Sequence, residues 1–204
     1  MGMTAVALRA APVSGETWQL NSLDAIGGHK ASVEGHPHLM DGAISFNGKE
    51  DAIFLDVHPL AGVRQFTWEA IFRPAADGAP AQRFFHLQEN DTDNRMLFET
   101  RIVEGKWCLD SYVKSGEASA TLLDMKKLHS LGEWHHVAAV CDGRELRNYV
   151  DGVQQGAAPI AFVPHKQGRT SLGVRINRVD YFKGEIRTAR MTAEPLSPSS
   201  FLSV

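Results

Sequence analysis

Apolar and polar positions alternate along much of this chain, most clearly at residues 66–73 (FTWEAIFR). There Phe66, Trp68, Ala70 and Phe72 fall on one side and Thr67, Glu69, Ile71 and Arg73 on the other. A period of two predicts a strand with one face in a core. Further runs of this kind at 17–20, 83–88, 95–103, 106–114, 120–123, 169–174 and 182–191 predict strands, and 160–163 predicts one more. Residues 134–141 and 146–150 flank Asp142-Gly143 and read as an antiparallel hairpin. Residues 43–46 and 52–57 flank Asn47-Gly48 and read the same way. Glycine and proline clusters make 21–42 mostly loop with one short strand, and 124–129 has the character of a single helical turn. About a dozen short strands with little helix predict an all-β sandwich or barrel.

A length of 204 residues suits one large β-domain, and no repeat or linker divides it. The expected organisation is a flexible arm at 1–16 and one domain at 17–204. A net charge of −3 without a basic run gives nucleic acid and anionic membrane surfaces little to hold. No apolar run is long enough to insert in a membrane. Residues 1–12 are apolar, but Arg9 interrupts them and a basic leader is missing, so they decide no compartment. Cys108 and Cys141 both fall in expected strands as small buried hydrophobes, and a disulfide between them requires neighbouring strands.

Three pieces occur in a telling order. Phe46-Asn47-Gly48 with Asp51 comes first. Trp134, His136, Val137, Ala138, Asp142, Gly143 and then Tyr149-Val150-Asp151-Gly152 follow. Phe182-Lys183-Gly184-Glu185-Ile186, Arg190 and Leu196-Ser197 close the set. Over roughly residues 17–202 this order resembles the laminin-G-like, concanavalin A-type jelly rolls. The resemblance implies a two-sheet antiparallel jelly-roll sandwich, and an extracellular or periplasmic setting. Such a scaffold hosts lectins, adhesion modules, glycosidases and polysaccharide lyases, so the fold leaves the activity open.

Candidate chemistry lies first on the polar faces of the middle strands. In RFFHLQ, His86 and Gln88 share a face with Phe84; Glu99 and Arg101 oppose Phe98; Asp110 and Tyr112 oppose Leu109. The resemblance implies that these strands form a curved sheet with ligand on its concave side, so the six polar residues would line one groove. Tyrosine stacks on a pyranose face while charged and amide groups take its hydroxyls. The alternative is a half-exposed sheet whose polar face serves solubility. Arg175, Asn177, Arg178 and Tyr181 in the loop between two late strands suit an anionic or polyhydroxy ligand, or form an ordinary polar loop.

For catalysis, Glu99 and Asp110 could pair across strands as glycosidase carboxyls, or His86 and Tyr112 could serve a lyase. The Glu-x-Asp-x-(x)-Glu run of this fold's glucanases is absent. Calcium is the metal the resemblance raises, but Arg187 stands where relatives place an aspartate after Gly-x-Ile. Glu89, Asp91 and Asp93 are the weak alternative ligands, in a stretch that also favours turns. His135 and His136 are adjacent, so a strand points them to opposite faces, and His136 reads as a structural hydrogen-bonding group. Non-catalytic carbohydrate binding therefore stands first. A glycoside hydrolase or polysaccharide lyase is the alternative, and a protein-binding adhesion or accessory module the third reading.

Overall fold

Sixteen antiparallel strands, numbered in chain order, pair into two sheets in the computed structural model, which describes residues 15–204. The first sheet runs β14 (Val153–Pro159), β13 (Glu145–Val150), β12 (His135–Cys141), β7 (Phe66–Pro74), β16 (Lys183–Thr192), β5 (Ala43–Asn47) and β4 (His38–Met40). β1 (Gly15–Gln19) joins it on the second half of β16. The second sheet runs β11 (Ala118–Leu123), β10 (Lys106–Ser115), β9 (Arg95–Val103), β8 (Ala81–Glu89), β15 (Gly168–Leu172), β6 (Ala52–Leu55), β3 (His29–Glu34) and β2 (Ala25–Ile26). This is the expected two-sheet jelly-roll sandwich. The expected arm at 1–16 lies outside the described residues except for Gly15 and Glu16, which are in β1.

The inward positions of both sheets meet in an aromatic core. Trp68 stacks on Phe98 with ring centroids 3.9 Å apart, and Phe72 on Phe84 at 4.2 Å. Phe66, Trp68, Ala70 and Phe72 of β7 all point into it, as the alternation requires. The opposite face of β7 is buried too, because the C-terminal tail lies across it. Thr67 Oγ1 donates to Glu194 O and accepts from the Leu196 N–H, and Glu69 Oε1 accepts from the Leu202 N–H. A three-residue 3₁₀ turn, Pro198–Ser200, shapes the tail, and Phe201 packs on His136 and Tyr149.

Several local expectations change. β5 and β6 are not a hairpin: they belong to different sheets. Asn47 Oδ1 accepts from the N–H groups of Lys49, Glu50 and Asp51, and the buried Asp51 carboxylate accepts from those of Asn47 and His36. These bonds satisfy the backbone of a crossing between layers, not of a ladder. Residues 21–42 carry three strands rather than one. Residues 124–129 form a turn and a bridge between His129 and Trp107, with no helix. The strand expected at 160–163 is absent; the chain pairs earlier, as β14. Asp151 and Gly152 both have positive φ, 49° and 77°, which suits the tight turn joining β13 to β14. Cys108 and Cys141 are free and buried in different sheets, so the disulfide condition is not met.

Candidate functional site

Pairing register decides which polar side chains meet on the outer face of the second sheet. Asp110 sits opposite Glu99, and Tyr112 lies between Leu97 on β9 and Thr121 on β11. On β8 a bulge between Arg83 and Phe85 absorbs one residue. Phe84 and Phe85 therefore both enter the core, while Arg83, His86 and Gln88 turn outward. The shared face expected for Phe84 and His86 is lost to this bulge. Loop 173–182 then folds against the same surface. Gly173, at φ 79°, closes its base by donating to Phe84 O and accepting from the Phe182 N–H. A Cβ there would come within 2.2 Å of the Phe46 ring, so the close approach requires glycine.

The result is a depression of about 250 Å³. Four arginines, Arg83, Arg95, Arg101 and Arg175, surround Glu99 and Asp110, and Leu97, Tyr112 and Thr121 complete the lining. Arg101 bridges the two carboxylates. Its Nη2 donates to Glu99 Oε2 at 2.9 Å, and its Nε and Nη2 donate to Asp110 Oδ2 at 2.9 and 2.7 Å. Arg83 Nε lies 3.0 Å from Glu99 Oε2 but off line, so it pairs electrostatically without a hydrogen bond there; its Nη1 meets Asp180. Burial and the neighbouring Asp110 charge hold the Glu99 carboxyl above its ordinary range, with Arg83 and Arg101 pulling the other way. Burial works against the Arg101 charge, but its bond and attraction to Asp110 outweigh this and raise its pKa.

His86 lies beneath the loop, 1% exposed. Its Nδ1 accepts the Ile176 N–H at 3.0 Å, which leaves the proton of the neutral ring on Nε2. Burial first, then the charges of Arg175 and Arg95, push its pKa down to about 3. The Nε2–H has no acceptor among the described residues. Above Tyr112 lies the Arg95 guanidinium, 4.9 Å from the ring centroid, so that ring face is not free to stack on a sugar.

Of the ten candidate ligand residues, Glu99, Arg101, Asp110, Tyr112 and Arg175 converge on the depression. His86 is close by but covered. Gln88 is spent on Thr92 O. Arg178 turns away, forming a two-pronged bond to Glu34 and lying over Phe54. Asn177 is exposed and Tyr181 half-buried, and neither lines the depression. The sequence reading missed Arg83 and Arg95. Simple alternation from Glu99 and Arg101 already placed Arg95 on this face, whereas the bulge hid Arg83.

The calcium ligands do not assemble. Glu89 is buried and takes the Asn94 amide, Asp93 lies 3.6 Å from the Lys114 ammonium, and Asp91 points to solvent. No group of three His, Cys, Asp or Glu side chains converges among the described residues. Arg187 lies 4.6 Å over Trp134, with Arg73 at 4.9 Å from the same ring, so the position after Gly-x-Ile presents a cation and no oxygen.

The profile of the concanavalin A-like lectin/glucanase superfamily, laminin-G type, matches residues 47–200. No curated protein matches the chain in sequence. Among solved structures, the chain is similar to domain 4 of an extracellular GH43 arabinanase from Geobacillus stearothermophilus, solved with arabinotriose. That match has a TM-score of 0.67 and 19% identity, and covers 90% of this chain and 94% of that one. It is also similar to a heptameric SAP-like pentraxin from Limulus polyphemus, with a TM-score of 0.60, 19% identity and 76% and 77% coverage. The botulinum neurotoxin serotype D binding domain matches with a TM-score of 0.66 and 12% identity, over 90% of this chain and 48% of that one. No helix of the described residues is long and apolar enough to cross a membrane.

Proposed function

The chain belongs to the concanavalin A-like lectin/glucanase superfamily, and from that membership we propose a non-catalytic carbohydrate-binding module whose glycan lies in the depression on the second sheet. One observation carries this reading. Among the described residues, His86 Nε2, Asp110 Oδ1 and Arg95 Nε are buried without hydrogen-bond partners, and all three side chains lie in or beside that depression. Each such atom costs roughly 1–3 kcal/mol, so a cluster of them marks a place completed by a ligand or by water. Sugar hydroxyls both donate and accept, which suits a site offering two buried donors and one buried acceptor. The sugar held by the similar arabinanase domain adds support.

Arg101 is the argument against catalysis. It occupies the space between Glu99 and Asp110, where a glycosidase leaves room for the scissile bond and water. The hydrolase reading keeps one observation of its own, the raised pKa of Glu99, since a general acid needs that property. Native gels cast with neutral and acidic polysaccharides, followed by reducing-end and unsaturated-end assays on the same polymers, separate the two. The binding module retards in at least one gel without releasing ends. Tyr112→Ala, which changes no charge but removes the ring that holds the Arg95 guanidinium in place, is expected to weaken binding about ten-fold. Released ends that vanish in Glu99→Gln would establish a hydrolase instead, and no retardation in any gel would contradict glycan binding.

A further inference from the structure

Charge does not balance across the depression. Glu99 and Asp110 are shared with Arg101, and Arg83 is divided between Glu99 and Asp180. Arg95 and Arg175 have no carboxylate partner among the described residues. Arg95 gives Nη1 to the main-chain oxygen of Asp93, leaving Nε buried with no acceptor among the described residues. Arg175 is aimed by its own loop: the Arg178 N–H donates to Arg175 O at 2.7 Å, and the next residue, Ile176, is fastened to His86. Its guanidinium makes no hydrogen bond or ion pair with any described residue, although it lines the depression. So an excess of positive charge is concentrated here, on a chain whose net charge is −3.

Surplus arginines on a surface are ordinarily solvated and need no ligand. Two features set this pair apart. Arg95 is immobilised on the Tyr112 ring with its Nε shut off from water. The neighbouring His86 Nε2–H, in a ring nine-tenths or more buried, is a second donor without an acceptor among the described residues. A built site whose unsatisfied groups are mainly donors, with cations beside them, is complementary to an anion rather than to hydroxyls alone.

We infer that the glycan bound here carries an anionic substituent, a sugar carboxylate or a sulfate ester, taken by Arg95 and Arg175. The inference rests on the glycan-binding reading above and adds the ligand's charge class. Asp110 Oδ1, a buried acceptor with no partner among the described residues, repels the anion and instead accepts a neighbouring hydroxyl. The two arginines thus fix which end of the sugar faces loop 173–182.

The test uses the intact chain in native gels cast with polygalacturonate and alginate, their carboxyl-reduced counterparts, dextran, and dextran sulfate. Retardation by an acidic polymer and not by its reduced form is the expected result for a carboxylate. Retardation by dextran sulfate and not by dextran is the expected result for a sulfate ester. In either case Arg175→Ala is expected to weaken binding about ten-fold or more, the value of a charge-assisted hydrogen bond, while Arg144→Ala in the exposed β12–β13 turn leaves it unchanged. Equal losses in both variants would reduce the effect to general polyelectrolyte attraction and overturn the inference. Neutral polymers that retard as strongly as acidic ones, with Arg175→Ala binding normally, would overturn it and leave the glycan-binding reading standing. Retardation by no polymer would bring down that reading and this one with it.

Discussion

Glu69→Ala loses about 3 kcal/mol of folding stability and frees the C-terminal tail, the toe of the range for removing one member of a buried ion pair. Glu69 has no solvent exposure. Its Oε1 accepts from His136 Nε2 at 3.0 Å and from the Leu202 N–H at 2.8 Å, and its Oε2 from Arg190 Nε at 2.6 Å. Burial alone would raise this carboxyl's pKa, but the bonds from His136, Arg190 and Leu202 outweigh it, and the pKa lies below the ordinary value. Alanine would strand all three donors. Arg190 keeps some contact with water and a bond to Ser200 O, which is why the low end of the range applies. Denaturant unfolding gives the stability change, and exchange of the Leu202 amide reports the tail. A loss below about 1 kcal/mol with Leu202 still protected would contradict this anchoring role.

Stability falls steeply as the solution is acidified from about pH 6.5 towards pH 3, because two buried histidines refuse a proton that the unfolded chain accepts. Burial, then the neighbouring His165, pushes His58 down to about 3, and burial with Arg175 and Arg95 does the same to His86. The bonds fix the tautomers around His58. The Leu60 N–H donates to His58 Nδ1, His58 Nε2–H donates to His165 Nδ1 at 3.0 Å, and His165 Nε2–H donates to Lys114 O. A proton added to either Nδ1 breaks this chain. Between the unfolded pKa near 6.5 and the folded value, the unfolded state binds more protons, so stability rises with pH across that window. Each of the two contributes a slope of about 1.4 kcal/mol per pH unit. His135 acts in the opposite sense: burial disfavours its charge, but bonds to Asp151 and Ser130 O outweigh this and raise its pKa. His58→Gln retains a donor toward His165 and removes one titration. Unfolding free energies at pH 7.5, 6.5, 5.5 and 4.5 therefore show a shallower slope in the variant, by about 1.4 kcal/mol per pH unit. Parallel curves would contradict the assignment.

The two Gly-containing turns of the first and second halves explain what could be read from sequence. Asn47-Gly48 carries the residues of a hairpin turn, yet it links the two sheets, because Asn47 and Asp51 spend their side chains on the local backbone. Asp151-Gly152 is a true hairpin turn, but its second strand, VQQGAAP, has too few apolar side chains to display a period of two. Edge strands such as β14 bury little, so burial writes little of them into the sequence. The central strands β7, β10 and β12 bury one face fully and β9 all of it but the half-buried Ile102, and their limits were legible to within a residue. The site divides in the same way. Glu99, Arg101, Asp110 and Tyr112 sit on regular strands and follow from parity alone, whereas Arg83 depends on a bulge and Arg175 on how a loop folds back. The polar loop named Arg175 as a candidate, but which of its side chains reach the depression is a tertiary fact, as is the place of Arg83.

Backbone amide shifts recorded as an oligosaccharide is titrated into the labelled protein test the central claim most directly, using a fragment of whichever polymer retards it. The account predicts that the largest changes fall on Glu99, Asp110 and Tyr112 in the second sheet and on Ile176 in the loop above it. Changes confined to the outer face of the first sheet or to the turns at its ends, with those four amides unmoved, would contradict it.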